Sequence, residues 1–171
     1  TIAMAKAGRA LAEQGKPIIN LSFGEPDFDT PEYIKDAAKS ALDQGYTKYT
    51  PVSGLPELKA AIVKKFKRDN HLEFGLNQIV VSTGAKHSIM NVMHAMVNPG
   101  DEVIIPAPYW VSYNDMVKFV AGAPVYIKTT IQDDFKISAA QLEQAITAKT
   151  KIFIFSSPSN PTGSIYSKEE L

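Results

Sequence analysis

The chain of 171 residues contains no cysteine, which excludes disulfides and thiolate metal sites and fits a reducing compartment. Neither sign of charge is in excess. Eighteen basic side chains face eighteen acidic ones, so electrostatics gives no ground for nucleic acid or an anionic membrane as the main partner. No apolar run approaches the roughly 20 residues of a membrane span, and no signal-like apolar core opens the chain. Histidine is scarce. His87 and His94 are seven positions apart, about 10 Å along a helix, which is too far for one metal ion, and His71 lies elsewhere. No Gly-x-Ser-x-Gly elbow follows a strand, and no Gly-x-Gly-x-x-Gly is present, which removes the usual signatures of an α/β hydrolase and of dinucleotide binding. A cytoplasmic protein without metal is the expectation.

What is present reads as an ordinary globular protein. Hydrophobic residues make up 44% and charged residues 21%, enough to bury one substantial core. Met4 to Gln14 reads as a short helix closed by Gly15, and Ile18 to Leu21 as a short strand. Pro31 opens a helix to about Gln44, with Ile34, Ala37, Ala38, Ala41 and Leu42 at helical spacing. A further helix is expected from Leu55 to about Asn70. Strands are expected at Gln78 to Ser82, Glu102 to Pro106, Ala123 to Ile127 and Ile152 to Phe155, with helices at Ile89 to Val97, Tyr109 to Val120 and Ser138 to Ile146. Strands alternating with helices predict an α/β fold with a mostly parallel sheet. The ending Ser167-Lys-Glu-Glu-Leu171 reads as a capped helix start, and a longer parent protein is expected.

The most informative stretch runs from Lys151 to Ser164. Ile152 to Phe155 is apolar and rich in β-branched and aromatic residues, suited to a strand buried on both faces. Ser156 to Gly163 then holds two prolines and small polar side chains, so the chain must leave the ladder in a loop at the strand's carboxyl end, the edge where open α/β sheets bind ligands. Thr83-Gly-Ala-Lys86 joins another expected strand to a helix, and the free amides of such a helix start form an anion site.

Asn160-Pro-Thr-Gly163 after a buried strand resembles the Asn-Pro-x-Gly signature of class I/II pyridoxal-phosphate aminotransferases. Four further segments fall in that family's order: Gly24-Glu-Pro-Asp-Phe28, Tyr49 followed by Gly54, the 83–86 turn, and Pro108-Tyr-Trp110. The resemblance implies a fold-type I large domain over residues 16–171, with residues 1–15 belonging to a small domain or an N-terminal arm. It implies that Gly84, Ala85 and Lys86 cradle the phosphate of pyridoxal phosphate, that Trp110 stacks on its ring, and that Asn160 donates to its ring hydroxyl oxygen. Tyr49 would reach the phosphate of the neighbouring subunit of a homodimer. Gly24, Lys86, Trp110 and Asn160 would touch the substrate. For all but the Gly24–Phe28 segment a bland alternative stands beside this one: a plain turn at 160–163 and at 83–86, packing for Tyr49, core for Trp110, and a phosphate counter-charge or solvated residue for Lys86.

Within the family the resemblance is greatest to bacterial aspartate aminotransferases, in which a Gly-Ala-Lys turn accompanies a Pro-Tyr-Trp-Val-Ser-Tyr run, here Pro108 to Tyr113. It implies that Lys86 reads the distal carboxylate of aspartate, with 2-oxoglutarate as the amino acceptor. The Schiff-base lysine, the pyridine-nitrogen aspartate and the carboxylate-binding arginine come later in such proteins, so this chain alone is expected to be inactive. The alternatives are an aromatic or alanine-type aminotransferase, an aminocyclopropane-carboxylate synthase, and a pyridoxal-phosphate-binding domain of a transcription regulator.

Overall fold

The computed structural model describes residues 2–19, 24 and 26–171, with side chains from residue 6 onward. Its contacts divide into two units, Thr1–Tyr49 and Thr50–Leu171. The first unit carries helices α1 (Ile2–Glu13) and α2 (Glu32–Asp43). In α2 the acidic Glu32 stands in the first turn, where it meets the positive end of the helix dipole, and pairs with Lys35 at 2.6 Å. The apolar spacing expected of this helix is present, yet none of its residues is buried. The expected strand at 18–21 is not formed at residues 18 and 19; its remainder, together with Phe23 and Glu25 of the 23–28 segment, lies outside the described residues.

The second unit begins with α3 (Pro56–Asn70), which has proline at its first position, where the missing N–H costs no hydrogen bond. It continues through α4 (Gly84–Met96), β1 (Glu102–Ala107), α5 (Ser112–Phe119), β2 (Ala123–Lys128), α6 (Ala139–Ala145) and β3 (Thr150–Phe153). The three strands form one parallel sheet in the order β2-β1-β3. Central β1 supplies Val103, Ile104 and Ile105, all fully buried. Val103 and Ile105 share one face with Met93 and Val97 of the α4 end and Tyr113, Met116 and Val117 of α5. Each such aliphatic side chain contributes about 1.5–3 kcal/mol through burial. Gly122, between α5 and β2, leaves no room for a side chain: an added Cβ would lie 2.8 Å from Val97 Cγ1.

Pairing between β1 and β3 runs to Ile104 opposite Phe153 and closes with the Ile154 N–H donating to the Ile104 carbonyl at 3.0 Å. Pro106 of β1 lies beyond that point, so its missing donor breaks no bond on the β3 side. The two chains then part at their carboxyl ends, one into Pro108-Tyr109-Trp110 and the other into the Ser156–Gly163 loop.

Several sequence expectations need correction. Residues 79–82 are not a strand: no strand pairs with them among the described residues, and the Val81 N–H instead donates to the Ser53 carbonyl at 3.0 Å. Gly54, at φ +104°, permits that approach, because a Cβ there would stand 2.7 Å from Val81 Cβ. The helix expected from Ile89 begins five residues earlier at Gly84, and the one expected from Tyr109 begins at Ser112. Strand β3 is shifted toward Thr150 and is only partly buried, because it lies at the end of the strand order and Phe155 beyond it is 37% exposed. Ser167 exchanges cap bonds with Glu170, the Ser167 N–H to Glu170 Oε2 at 2.6 Å and the Glu170 N–H to Ser167 Oγ at 3.3 Å, but only a turn follows.

Candidate active site

The carboxyl ends of β1 and β3 and the head of α4 carry most of the candidate residues. Gly84 opens α4 at φ +80°, a left-handed conformation that glycine adopts without a Cβ penalty, and nothing lies within 4 Å of where a Cβ would stand. The helix has no side-chain cap. Its first-turn amides, at Ala85 and Lys86 and just beyond, therefore face open space with the positive end of a thirteen-residue helix behind them. The preceding Thr83 N–H donates to His87 Nδ1 at 3.1 Å, which holds the turn in place.

Lys86 extends from this turn to Trp110, with its Nζ 5.1 Å from the ring centroid. Trp110 is half-buried and meets Tyr113 edge-on at 5.4 Å. The adjacent Tyr109 already has a stacked partner, Tyr126, with centroids 5.5 Å apart, and burial together with the Tyr126 hydroxyl pushes its phenol pKa up. Tyr126 is itself fixed by donating to Asn114 Oδ1 at 2.5 Å. Of the two aromatics after β1, Trp110 has no such stacked neighbour among the described residues.

Tyr113 connects this group to Asn160. Pro106, Pro108, Tyr113, Phe155, Ser156 and Asn160 line one small cavity where β1 and β3 diverge. At about 20 Å³ it has room for a water molecule and not for an aromatic ring. A groove of about 500 Å³ lies between α4 and α5, lined by Lys86, Met90, His94, Asp115, Met116 and Phe119. The Asn160 loop is tied by its own backbone: the Ser159 N–H donates to the Ser164 carbonyl at 2.9 Å, the Gly163 N–H to the Ser159 carbonyl at 2.8 Å, and the Asn160 N–H to Ser156 Oγ at 3.2 Å. The Asn160 side chain is exposed.

The structure thus brings together Gly84, Ala85, Lys86, Trp110 and, through Tyr113, Asn160. Tyr49 and Gly24 belong to the first unit, and both are exposed. Ser156, the first residue of the expected loop, also lines the Asn160 cavity, as do Phe135 and Tyr166, which were absent from the sequence expectations. No local pattern marks Phe135, which reaches the cavity from a connection more than 20 residues earlier. Each histidine has a local setting: His94 stands edge-on to Phe119 at 5.9 Å, His87 accepts from the Thr83 N–H, and His71 closes α3 in a left-handed conformation. Among the described residues no group of three His, Cys, Asp or Glu side chains could hold a metal ion, and no helix is long and apolar enough to cross a membrane.

Residues 16–171 match the family model described as aminotransferase class I and II. The chain belongs to that family. It is 54% identical over its whole length to the aspartate aminotransferase of Bacillus sp. (strain YM-2), and 59% identical over 98% of its length to the aspartate/prephenate aminotransferase of Nitrosomonas europaea. It spans 44% and 42% of those two proteins. The aspartate aminotransferase from Thermus thermophilus, solved with maleate, superposes with a TM-score of 0.94 at 43% identity, over 98% of this chain and 44% of that one. Its α/β architecture with a parallel sheet is that of fold-type I aminotransferases, and enzymes of this family depend on pyridoxal phosphate.

The donor set fits such a cofactor. The uncapped amides at the head of α4 suit a phosphate dianion, the Trp110 ring suits a flat heteroaromatic, and the exposed amide of Asn160 suits a phenolate-like oxygen.

Proposed function

We propose that the full-length protein is a pyridoxal-phosphate-dependent aspartate aminotransferase, moving the amino group of aspartate to 2-oxoglutarate, and that it works as a cytoplasmic homodimer. Residues 16–171 would belong to its cofactor-binding large domain and residues 1–15 to a small domain or arm. The observation that carries the choice of substrate is Lys86, an exposed cation at the head of α4 that lies over Trp110. The names of the Bacillus and Nitrosomonas relatives, and the dicarboxylate maleate held by the Thermus enzyme, support the same choice.

Pyridoxal phosphate, when bound, supplies the electron sink and the carbonyl carbon that carry the amino group. The residues of this chain bind and orient. The α4 amides of Ala85 and Lys86 would hold the phosphate, with Gly84, whose own N–H donates to the Ser82 carbonyl at 2.8 Å, shaping the turn; Trp110 would cover a ring face, and the Asn160 amide would donate to the ring oxygen and favour its deprotonated form. The Lys86 ammonium would pair with the distal carboxylate.

The test is Lys86→Ala in the full-length protein. A dicarboxylate deprived of its cation leaves a desolvated charge unpaired, whereas phenylalanine loses nothing equivalent. Loss of a charge-assisted bond of about 1.5–3 kcal/mol lowers kcat/KM for aspartate about 10- to 150-fold. Phenylalanine turnover should change much less. Equal losses for both substrates would assign Lys86 to the phosphate instead, and no loss for either would leave it solvated. A second reading, amino transfer to prephenate, is favoured by the name of the Nitrosomonas relative; prephenate also carries a second carboxylate, so assay with prephenate as acceptor separates the two.

A further inference from the structure

Lys136 lies outside the candidate site, yet it is the most enclosed of the ion-paired lysines among the described residues. Its side chain is 21% exposed, against 40% or more for Lys35, Lys39 and Lys67. Its Nζ contacts Glu170 Oε1 at 2.8 Å and Oε2 at 3.1 Å, the Ile165 carbonyl at 3.4 Å and Asp134 Oδ2 at 3.6 Å, and stands 5.9 Å from the Tyr166 ring centroid. The Glu170 hydrogen bond is the main reason the Lys136 ammonium titrates above its usual range, and the Lys136 bond, followed by the Ser167 N–H, is why the Glu170 carboxyl titrates below its own.

Tyr166 joins this cluster to the Asn160 loop. Its hydroxyl accepts from the Ile137 N–H at 2.8 Å, its ring meets Phe155 edge-on at 5.4 Å, and its own N–H donates to Ser157 Oγ at 3.0 Å. Tyr166 and Phe135 both line the cavity beside Asn160. The turn that presents Phe135 and Lys136 is costly, because Asp134 and Phe135 are consecutive non-glycine residues at φ +51° and +54°. Such conformations persist only where surrounding contacts over-determine them.

We infer that Lys136 and Tyr166 are positioning residues, clasping the strained 134–137 turn to the 165–170 segment so that the loop between them holds Asn160 at the cavity mouth. The role assigned to Asn160 rests on the proposed cofactor binding, but the clasp itself does not. A surface ion pair that merely adds stability would not transmit its loss to residues 156–164. A clasp does, because Tyr166 and Ser157 tie the 165–170 segment back to the start of the loop.

The experiment uses the full-length protein carrying Lys136→Met, Tyr166→Phe or the conservative Lys136→Arg. In protein freed of cofactor, amide hydrogen exchange in residues 156–164 should quicken about three- to tenfold in the first two variants, the lower figure allowing for solvent screening at half-exposed Glu170. Exchange in β1 and α4 should stay unchanged, and Lys136→Arg should restore the loop. In protein loaded with pyridoxal phosphate, the pH titration of visible absorption should shift in the direction produced by Asn160→Ala, by a smaller amount. Unchanged loop exchange in both Lys136→Met and Tyr166→Phe overturns the clasp. Quickened exchange with an Asn160→Ala protein of unaltered titration upholds the clasp as the loop's anchor and refutes the cofactor role of Asn160.

Discussion

At the scale of single residues, the site combines tightly held backbone with exposed side chains. Asn160 shows this best: its N–H is bound to Ser156 Oγ, while the side chain that would face a ligand stands in solvent. A hydrogen bond from that amide to an ionised ring oxygen stabilises the deprotonated form, so removing it must raise the pKa. In the cofactor-loaded full-length protein, Asn160→Ala should therefore move the spectral pH titration upward by about one to two pH units, the equivalent of a charged-group hydrogen bond of about 1.5–3 kcal/mol. Spectrophotometric titration of both proteins measures this, and superimposable curves would remove Asn160 from the site. Trp110 and Lys86 differ from Asn160 in being engaged with each other, at 5.1 Å.

Among the elements, β1 holds the second unit together, since it pairs on both edges and is buried at Val103, Ile104 and Ile105. Ile105→Ala leaves a cavity against Met93, Tyr113 and Val117 and should cost about 2–5 kcal/mol in chemical denaturation, whereas Ile131→Ala, at a side chain 71% exposed, should stay within about 0.5 kcal/mol. Equal effects would mean that the core lies elsewhere. Elements of this kind were legible in the sequence, because Val103 to Ile105 is a continuous apolar run and Ser138 with Gln141 spells a capping box that the structure makes, Ser138 Oγ accepting from the Gln141 N–H at 3.3 Å. What was illegible depended on partners distant in sequence. Residues 79–82 have strand-like composition, but a strand also needs a neighbour to bond, which composition does not report. Phe135 and Tyr166 were illegible for the same reason, whereas Gly84, Lys86, Trp110 and Asn160 could be named as candidates because each sits at the end of a recognisable strand-like or helical run.

At the scale of the whole molecule, the proposed homodimer gives a role to Tyr49, whose side chain is fully exposed among the described residues. If its hydroxyl completes the phosphate site of the neighbouring subunit, Tyr49→Phe removes one charge-assisted hydrogen bond and nothing from either core. Cofactor affinity should fall about 10- to 150-fold, corresponding to about 1.5–3 kcal/mol, while sedimentation still reports a dimer. A monomeric wild-type protein with undiminished cofactor affinity would refute that assignment.

The parallel sheet also sets an order of difficulty for the folding chain. Strand β1 meets β2 with partners 21 positions apart, Glu102 opposite Ala123, but meets β3 with partners 48 apart, Glu102 opposite Thr150. Closing the longer span costs about 0.7 kcal/mol more chain entropy than closing the shorter one. The Trp110 side of the site is thus enclosed by the nearer of the two closures, and the Asn160 side waits on the one that the unfolded chain finds less often.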